Sequence, residues 1–292
     1  MLQIDESEVP TIRRRTAPGA VPGTITVDPD APKSCISVMA FGPEGLVEQQ
    51  IDAPYEAAAF IQQWPVVWIN VDGLGDKDVI QQFGTMFELH RLALEDVVNV
   101  HQRPKVEEYD EQIFFVGRMV YQNAGVETEQ LSLFLGEGFV LTFQERPGGD
   151  CFSPVRDRIR KAAGRIRFHG PDFLAYCLID ALVDAYFPVI ELYEVLDKPS
   201  PRTVHTIHQI RRDLLLLRRS VWPLREAINS LQRNDCPVFA ADTRLYLRDC
   251  YDHTIQILDL VEAYRELVSD LMDVYLSSIS TKLNEVMRVL TV

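Results

Sequence analysis

The chain has 292 residues, 47% of them apolar and 25% charged, the balance of a packed globular protein and not of a disordered one. Twenty-nine Lys and Arg stand against 43 Asp and Glu, a net charge of −14. That charge weighs against binding a nucleic-acid backbone, which needs clustered cations, and favours small cations as partners.

The five cysteines (Cys35, Cys151, Cys177, Cys236 and Cys250) are odd in number and form no CxxC pair. Neither a disulfide framework nor a cysteine zinc site is signalled, and a reducing compartment is expected. The N-terminal MLQIDESEVP places acids where an export signal needs an apolar core. No uninterrupted apolar run of membrane-spanning length occurs, so no transmembrane helix is expected within these residues.

In chain order, residues 1–33 are rich in Pro, Gly, Arg and Asp and read as an extended arm. From Cys35 the texture changes. CISVMAFG, VVWINVDG, QIFFVGRMVY, LSLFLGE and FVLTFQER are short Val/Ile/Phe-rich runs bounded by turn residues, and they read as strands. The last two form a hairpin turning at Gly136-Glu137-Gly138. Helical stretches are predicted at 54–63, 76–88 and 92–100, so the region is mixed α and β.

After residue 153 the chain reads as helical. A short basic helix, PVRDRIRKAAGRI, comes first. A run from Gly170-Pro171-Asp172 follows and stops at Lys198-Pro199-Ser200-Pro201. Another goes from Arg202 to Gln232, with a kink expected at Pro223. The last begins near Asp242 and meets no Pro or Gly. At 1.5 Å per residue, about 50 residues make a helix about 75 Å long, more than a single domain needs. NEVMRVLTV turns apolar at its end, as if the helix were about to enter a hydrophobic segment.

On that last helix, Asp249, Asp252, Gln256, Asp259, Ala263, Glu266, Asp270 and Asp273 step by three and four, so they share one face; six of the eight are acidic and none is basic. Beside them runs an apolar stripe, Cys250, Thr254, Ile257, Val261, Tyr264, Val268, Leu271 and Tyr275. Like charges one turn apart repel by about 0.2–0.5 kcal/mol per pair. A one-sign stripe is therefore either a wet surface or the lining of a water-filled space that concentrates cations.

Asp249, Asp252 and His253 fall within one turn, and Asp180 and Asp184 lie one turn apart on the apolar CLIDALVDAYF. Carboxylates with a nearby imidazole suit a divalent ion, although acids on an apolar stripe more often pair with Arg or sit at an interface.

Other chemistry is not signalled. Asp72-Gly73-Leu74-Gly75 lacks the third glycine of a dinucleotide fingerprint, and no Walker A, HExxH or GxSxG motif occurs. His205 and His208 read as a solvated pair, and Trp64, Trp68 and Trp222 as core or interface residues.

Four segments carry a resemblance: LALEDVVNVHQRPKVEEYDEQIFF (92–115), FLAYCLIDALVDAYF (173–187), SVWPLREAINSL (220–231) and the run from YLRDCYDHTIQ through DVYLSSISTKLNEVM to Val292. They resemble the CorA family of divalent-cation channels from about residue 64 onward, and YDHTIQ with DVYLSSISTKLNEVM is highly specific. Residues 1–60 are similar only loosely, chiefly through PGAVPGT.

The resemblance implies a homopentamer at the cytoplasmic face of the cell membrane. Its fold class is α+β or α/β: an α/β/α sandwich around a mixed sheet, then long antiparallel helices and a very long C-terminal stalk helix. The implied divisions are an arm (1–33), an α/β cytoplasmic domain (34–170), a helical hairpin (171–241) and the stalk (242–292) leading toward membrane helices and a Gly-Met-Asn selectivity loop not contained in this sequence.

Carried over residue by residue, the family's inter-subunit cation site matches Asp96 of one subunit and Asp249 of its neighbour. A second site matches Glu95, Asp180 and Asp249, with Asp252 and His253 close by and the backbone near Ala20 approaching. Asp273 matches an acidic ring near the membrane entrance. Asn284 and Met287 match the cytosolic pore mouth, Met287 as part of an apolar constriction. The implied ion is Mg²⁺, with Co²⁺, Ni²⁺ or Ca²⁺ as substitutes. The implied partners are further copies of the chain, divalent cations and the membrane, not nucleic acid.

One departure stands out: PVIELYEVLDKPSPRTVHTIHQ makes a hairpin about ten residues shorter than the family's. The resemblance implies a cation-sensing regulatory domain and no enzyme. The alternatives are the same domain of a zinc-transporting relative and a metal-independent helical scaffold. A metal-dependent hydrolase would need convergent ligands and a nucleophile within one subunit, which the sequence does not offer.

Overall fold

The computed structural model describes residues 17, 19–123, 125–193, 201–233 and 238–290; the side chains of 201–206, 276, 278–279, 282–286 and 288–290 lie outside that description. Seven strands form one mixed sheet in the order β2-β1-β3-β7-β6-β5-β4. They are β1 (Cys35–Gly42), β2 (Gly45–Ile51), β3 (Val66–Asp72), β4 (Lys105–Tyr109), β5 (Gln112–Gln122), β6 (Val126–Gly136) and β7 (Phe139–Gln144). Only β3 and β7 pair in parallel; the other neighbours are antiparallel. The central β3, VVWINVD, is buried on both faces, which is why it reads as a continuous apolar run. The β6–β7 hairpin turns where the sequence predicts, with Gly138 at φ 77, a backbone conformation glycine adopts without strain.

Each face of the sheet has its own core. Ile36, Val38, Ala40, Val67, Ile69 and Val71 face one side. There they pack against α1 (Ala57–Gln63), α2 (Lys77–Met86) and α3 (Arg91–Val98). The alternate residues Met39, Phe41, Val66 and Trp68 face the other side. On that side lie α4 (Ser153–Arg160), α5 (Pro171–Asp184), α6 (Tyr186–Glu191), α7 (Pro201–Leu231) and α8 (Ala241–Leu290). The fold is thus an α/β/α sandwich continued by long antiparallel helices. Together α5 and α6, Pro171–Glu191, are long and apolar enough to cross a membrane, yet most of that span is buried inside the domain.

Helix α7 runs through Pro223 without ending. Of the tryptophans, Trp68 is buried, while Trp222 is 58% exposed on the outer side of α7 and takes no part in the chain's own core. Helix α8 is 50 residues long. The predicted apolar stripe from Cys250 to Val268 is buried against the rest of the domain, and Tyr275 at its end is 39% exposed. All eight residues of the acidic stripe are exposed. The hairpin tip, residues 194–200, falls outside the described residues.

Candidate metal centre

Two acidic sets occur, on opposite faces of the sheet. The first is built on α3 and the edge strand β4. His90 caps α3 by accepting from the Leu92 amide at 3.3 Å, and its ring stacks on Tyr109 at 4.4 Å. Helix α3 buries Ala93, Leu94, Val97 and Val98, which leaves Glu95 and Asp96 at its margin. Both carboxylates have partners in the chain. Glu95, 9% exposed, accepts from the Gly23 amide at 2.6 Å. The arm therefore reaches this helix three residues beyond Ala20, which is itself exposed.

Asp96 accepts from Lys105 Nζ at 2.5 Å, and the same ammonium donates to Glu107 at 2.6 Å. Burial pushes the Asp96 carboxyl above its ordinary value despite the Lys105 charge beside it. Burial likewise works to lower the Lys105 value, but the two carboxylates hold it above the usual lysine range. Among the described residues the set holds three carboxylates, Glu95, Asp96 and Glu107, and the Lys105 ammonium.

The second set lies between α5 and α8. Asp180 and Asp184 project from one side of α5, and His253 of α8 faces them; one ligand atom from each lies within 4.8 Å of the others. His253 Nδ1 is 3.8 Å from Asp184, and its Nε2 is 3.9 Å from Asp249. Both distances exceed a hydrogen bond. Nδ1 is buried without a hydrogen-bond partner. Tyr176 donates to Asp180 at 3.4 Å, a long bond, and Phe187 meets the imidazole edge-on at 5.9 Å.

Burial and then the neighbouring Asp184 push the Asp180 carboxyl up to about 6. Burial raises Asp184 as well, with the Asp249 charge adding to it. The thiol of Cys250, buried under the same carboxylates, is pushed well above its ordinary range. Asp252 is exposed and, among the described residues, makes no ion pair or hydrogen bond.

The sequence-predicted residues thus separate into Glu95 and Asp96 on one face, and Asp180, Asp249 and His253 on the other, with Asp252 exposed on α8. Asp184, which the sequence shows only as one half of an i, i+4 pair, belongs with the second group. Nothing in the KVEEY run marks its lysine, Lys105, as the partner of Asp96. Asp273 is exposed on α8 and Met287 is 54% exposed; the Asn284 side chain lies outside the described residues.

The second set brings together ligand types that could hold a divalent cation. Carboxylate oxygens suit Mg²⁺ and Ca²⁺, and an imidazole adds affinity for Co²⁺, Ni²⁺ and Zn²⁺. An orphaned ring nitrogen beside two carboxyls of raised pKa is the environment a cation relieves.

The family described as CorA-like Mg²⁺ transporter protein matches residues 65–292. The Cobalt/magnesium transport protein CorA of Thermotoga maritima is 49% identical over 237 residues, 77% of this chain and 67% of the relative. Among solved structures, the soluble domain of CorA from Methanocaldococcus jannaschii superposes with a TM-score of 0.67 at 18% identity, covering 83% of this chain and 96% of that one. The ZntB cytoplasmic domain from Vibrio parahaemolyticus gives 0.66 at 15% identity, covering 86% and 98%. These two likenesses bear on the fold. Sequence and family match together show that the chain belongs to the CorA-like Mg²⁺ transporter family, whose members are transporters and not enzymes.

Proposed function

We propose that this chain is the cytosolic, cation-sensing part of a CorA-type Mg²⁺ and Co²⁺ transporter, working as a homopentamer at the cytoplasmic face of the cell membrane. In this reading residues 1–33 are an arm, 34–170 the α/β domain, 171–241 the hairpin and 242–292 the stalk that leads toward the membrane. Divalent ions are held between subunits, by Asp96 or Glu95 of one and the partner subunit's Asp249 and Asp180, with Asp252 and His253 supporting. Mg²⁺ keeps much of its water, so contacts through water are part of the design. Asp273, Asn284 and Met287 stand toward the pore mouth.

One observation carries this reading. The two acidic sets of a single chain are separated by the sheet and its two cores. An ion touching both must therefore join two copies. Without the ion, like-charged surfaces repel across the interface; with it, the closed ring is favoured, a population shift by differential affinity. Sedimentation velocity with Mg²⁺ and then with excess chelator tests it. Association that tightens with Mg²⁺ and relaxes on chelation is expected; an identical distribution in both refutes the sensor.

The imidazole of His253 in the second set favours a second reading for the ion, a softer metal such as Co²⁺ or Zn²⁺ in place of Mg²⁺. Calorimetric competition among the three metals decides the preference.

A further inference from the structure

In a ring of the proposed kind, each chain offers its α3 set to one neighbour and its α5–α8 set to the other. Any cooperation between interfaces must then pass through the chain itself, across the sheet. Arg118 on β5 and Gln130 on β6 are cross-strand partners, and their side chains hold the backbone on the α3 side. Buried Gln130 donates from Nε2 to the Asp96 carbonyl at 2.8 Å and accepts from the Gln102 amide at 3.1 Å. Arg118 donates from Nη1 to the Val100 carbonyl at 2.8 Å. Its guanidinium lies 3.6 Å from Glu145, whose carboxylate accepts the Gln130 amide at 2.6 Å. The end of α3 and the loop after it are thus pinned at three points by two adjacent residues.

The other side of the sheet reaches the same residue. The Arg118 carbonyl accepts from the Tyr186 hydroxyl at 2.8 Å. Tyr186 is fully buried, begins α6 and stands two residues after Asp184. A displacement of the α5–α6 junction therefore acts on β5 at Arg118, which holds the Val100 carbonyl and stands opposite Gln130, the residue that holds the Asp96 carbonyl. A half-buried guanidinium whose carboxylate is 3.6 Å away is a weak source of stability, because desolvation of both charges offsets their attraction. Holding a defined geometry is the use that fits.

We infer that Arg118, assisted by Gln130 and engaged by Tyr186, is a positioning residue that links the two acidic sets of each chain through the sheet. It touches no ion; through Val100, and with Gln130 on the Asp96 carbonyl, it sets where the end of α3 stands according to where the α5–α6 junction stands. The inference rests on the proposed function for its purpose, but the linkage itself is testable without metal.

Amide hydrogen exchange on the full 292-residue chain in chelator tests it. Tyr186→Phe removes one hydroxyl on the α5–α8 side. It is expected to speed exchange in residues 99–103, across the sheet, about fivefold, the factor given by loss of one hydrogen bond of ordinary strength. Residues 77–86, packed on the same face as α3, are expected to keep the wild-type rate. Arg118→Met combined with Glu145→Gln, which removes the charge pair together, should reproduce the effect, and Arg118→Lys should fall between. Unchanged exchange at 99–103, or an equal rise at 77–86 showing general loosening, overturns the linkage. Adding Co²⁺ to the wild type separates the two ideas: absence of slowing at 246–256 refutes the metal reading, while the metal-free comparison still decides Arg118.

Discussion

The two acidic sets differ in how the chain itself has answered their charge. On α3, Glu95 has a backbone amide and Asp96 an ammonium, each at hydrogen-bonding distance. Between α5 and α8, the carboxylates face one another and an imidazole whose Nδ1 has no hydrogen bond. The first set is largely satisfied within the chain; in the second, the imidazole Nδ1 has no hydrogen bond and Asp180 has only a long one from Tyr176. The same residue type plays two parts because its neighbours differ, and the α5–α8 set should dominate the ion response.

The sharpest way to break that comparison is Asp249→Asn. At one hundred times its dissociation constant an ion contributes about 2.7 kcal/mol of apparent stability. The substitution is expected to remove more than half of the Mg²⁺-induced rise in Tm, and an equal rise in both proteins would refute the role of Asp249. Comparable in size is Lys105→Met, which leaves Asp96 half-buried and unpaired. We expect about 2–3 kcal/mol of destabilisation without metal. Because Asp96 then lacks its internal cation, the Mg²⁺-induced Tm rise should exceed that of the wild type; an unchanged rise would show that Asp96 does not meet the ion.

Proton linkage follows from Asp180, whose carboxyl is raised from its ordinary 3.8 to about 6. Between those values the folded chain holds more protons than the unfolded one, so metal-free stability falls as pH rises from about 4 to about 6. The loss should be about 2 kcal/mol once partial solvent exposure is allowed for, and Asp180→Asn should flatten it. Melts across this range in chelator measure both slopes. The smallest effect is expected at Gly23, which has φ 82 and where an added Cβ would stand 2.8 Å from the Arg91 Cβ. Gly23→Ala should cost about 1 kcal/mol and loosen the arm from Glu95, visible as faster proteolysis near residue 20.

Much of the fold is legible because its signals are periodic. The α8 stripes from Cys250 and Asp249 read correctly as buried and exposed, since a regular helix turns spacing directly into facing. The strands that escape notice are those whose apolar pattern is interrupted. β2 (GLVEQQI) and β4 (KVEEY) are edge strands, and their charged and polar residues guard the sheet from further pairing while hiding the alternation. The first half of β6, VETEQ, hides differently: Glu129 and Gln130 are buried and hydrogen-bonded, an arrangement visible only once partners from other strands are in place. The same reason conceals Lys105 and Asp184 as neighbours of the site. Spacing shows which residues share a helix face, but not which distant residue faces them.

The most direct measurement is anomalous diffraction from crystals of the assembled chain soaked in Co²⁺. A cobalt peak between Asp96 of one subunit and the partner subunit's Asp249, lost in Asp249→Asn, is the expected result. Cobalt bound only within a single chain, or none at the contact between copies, would contradict a metal-joined ring.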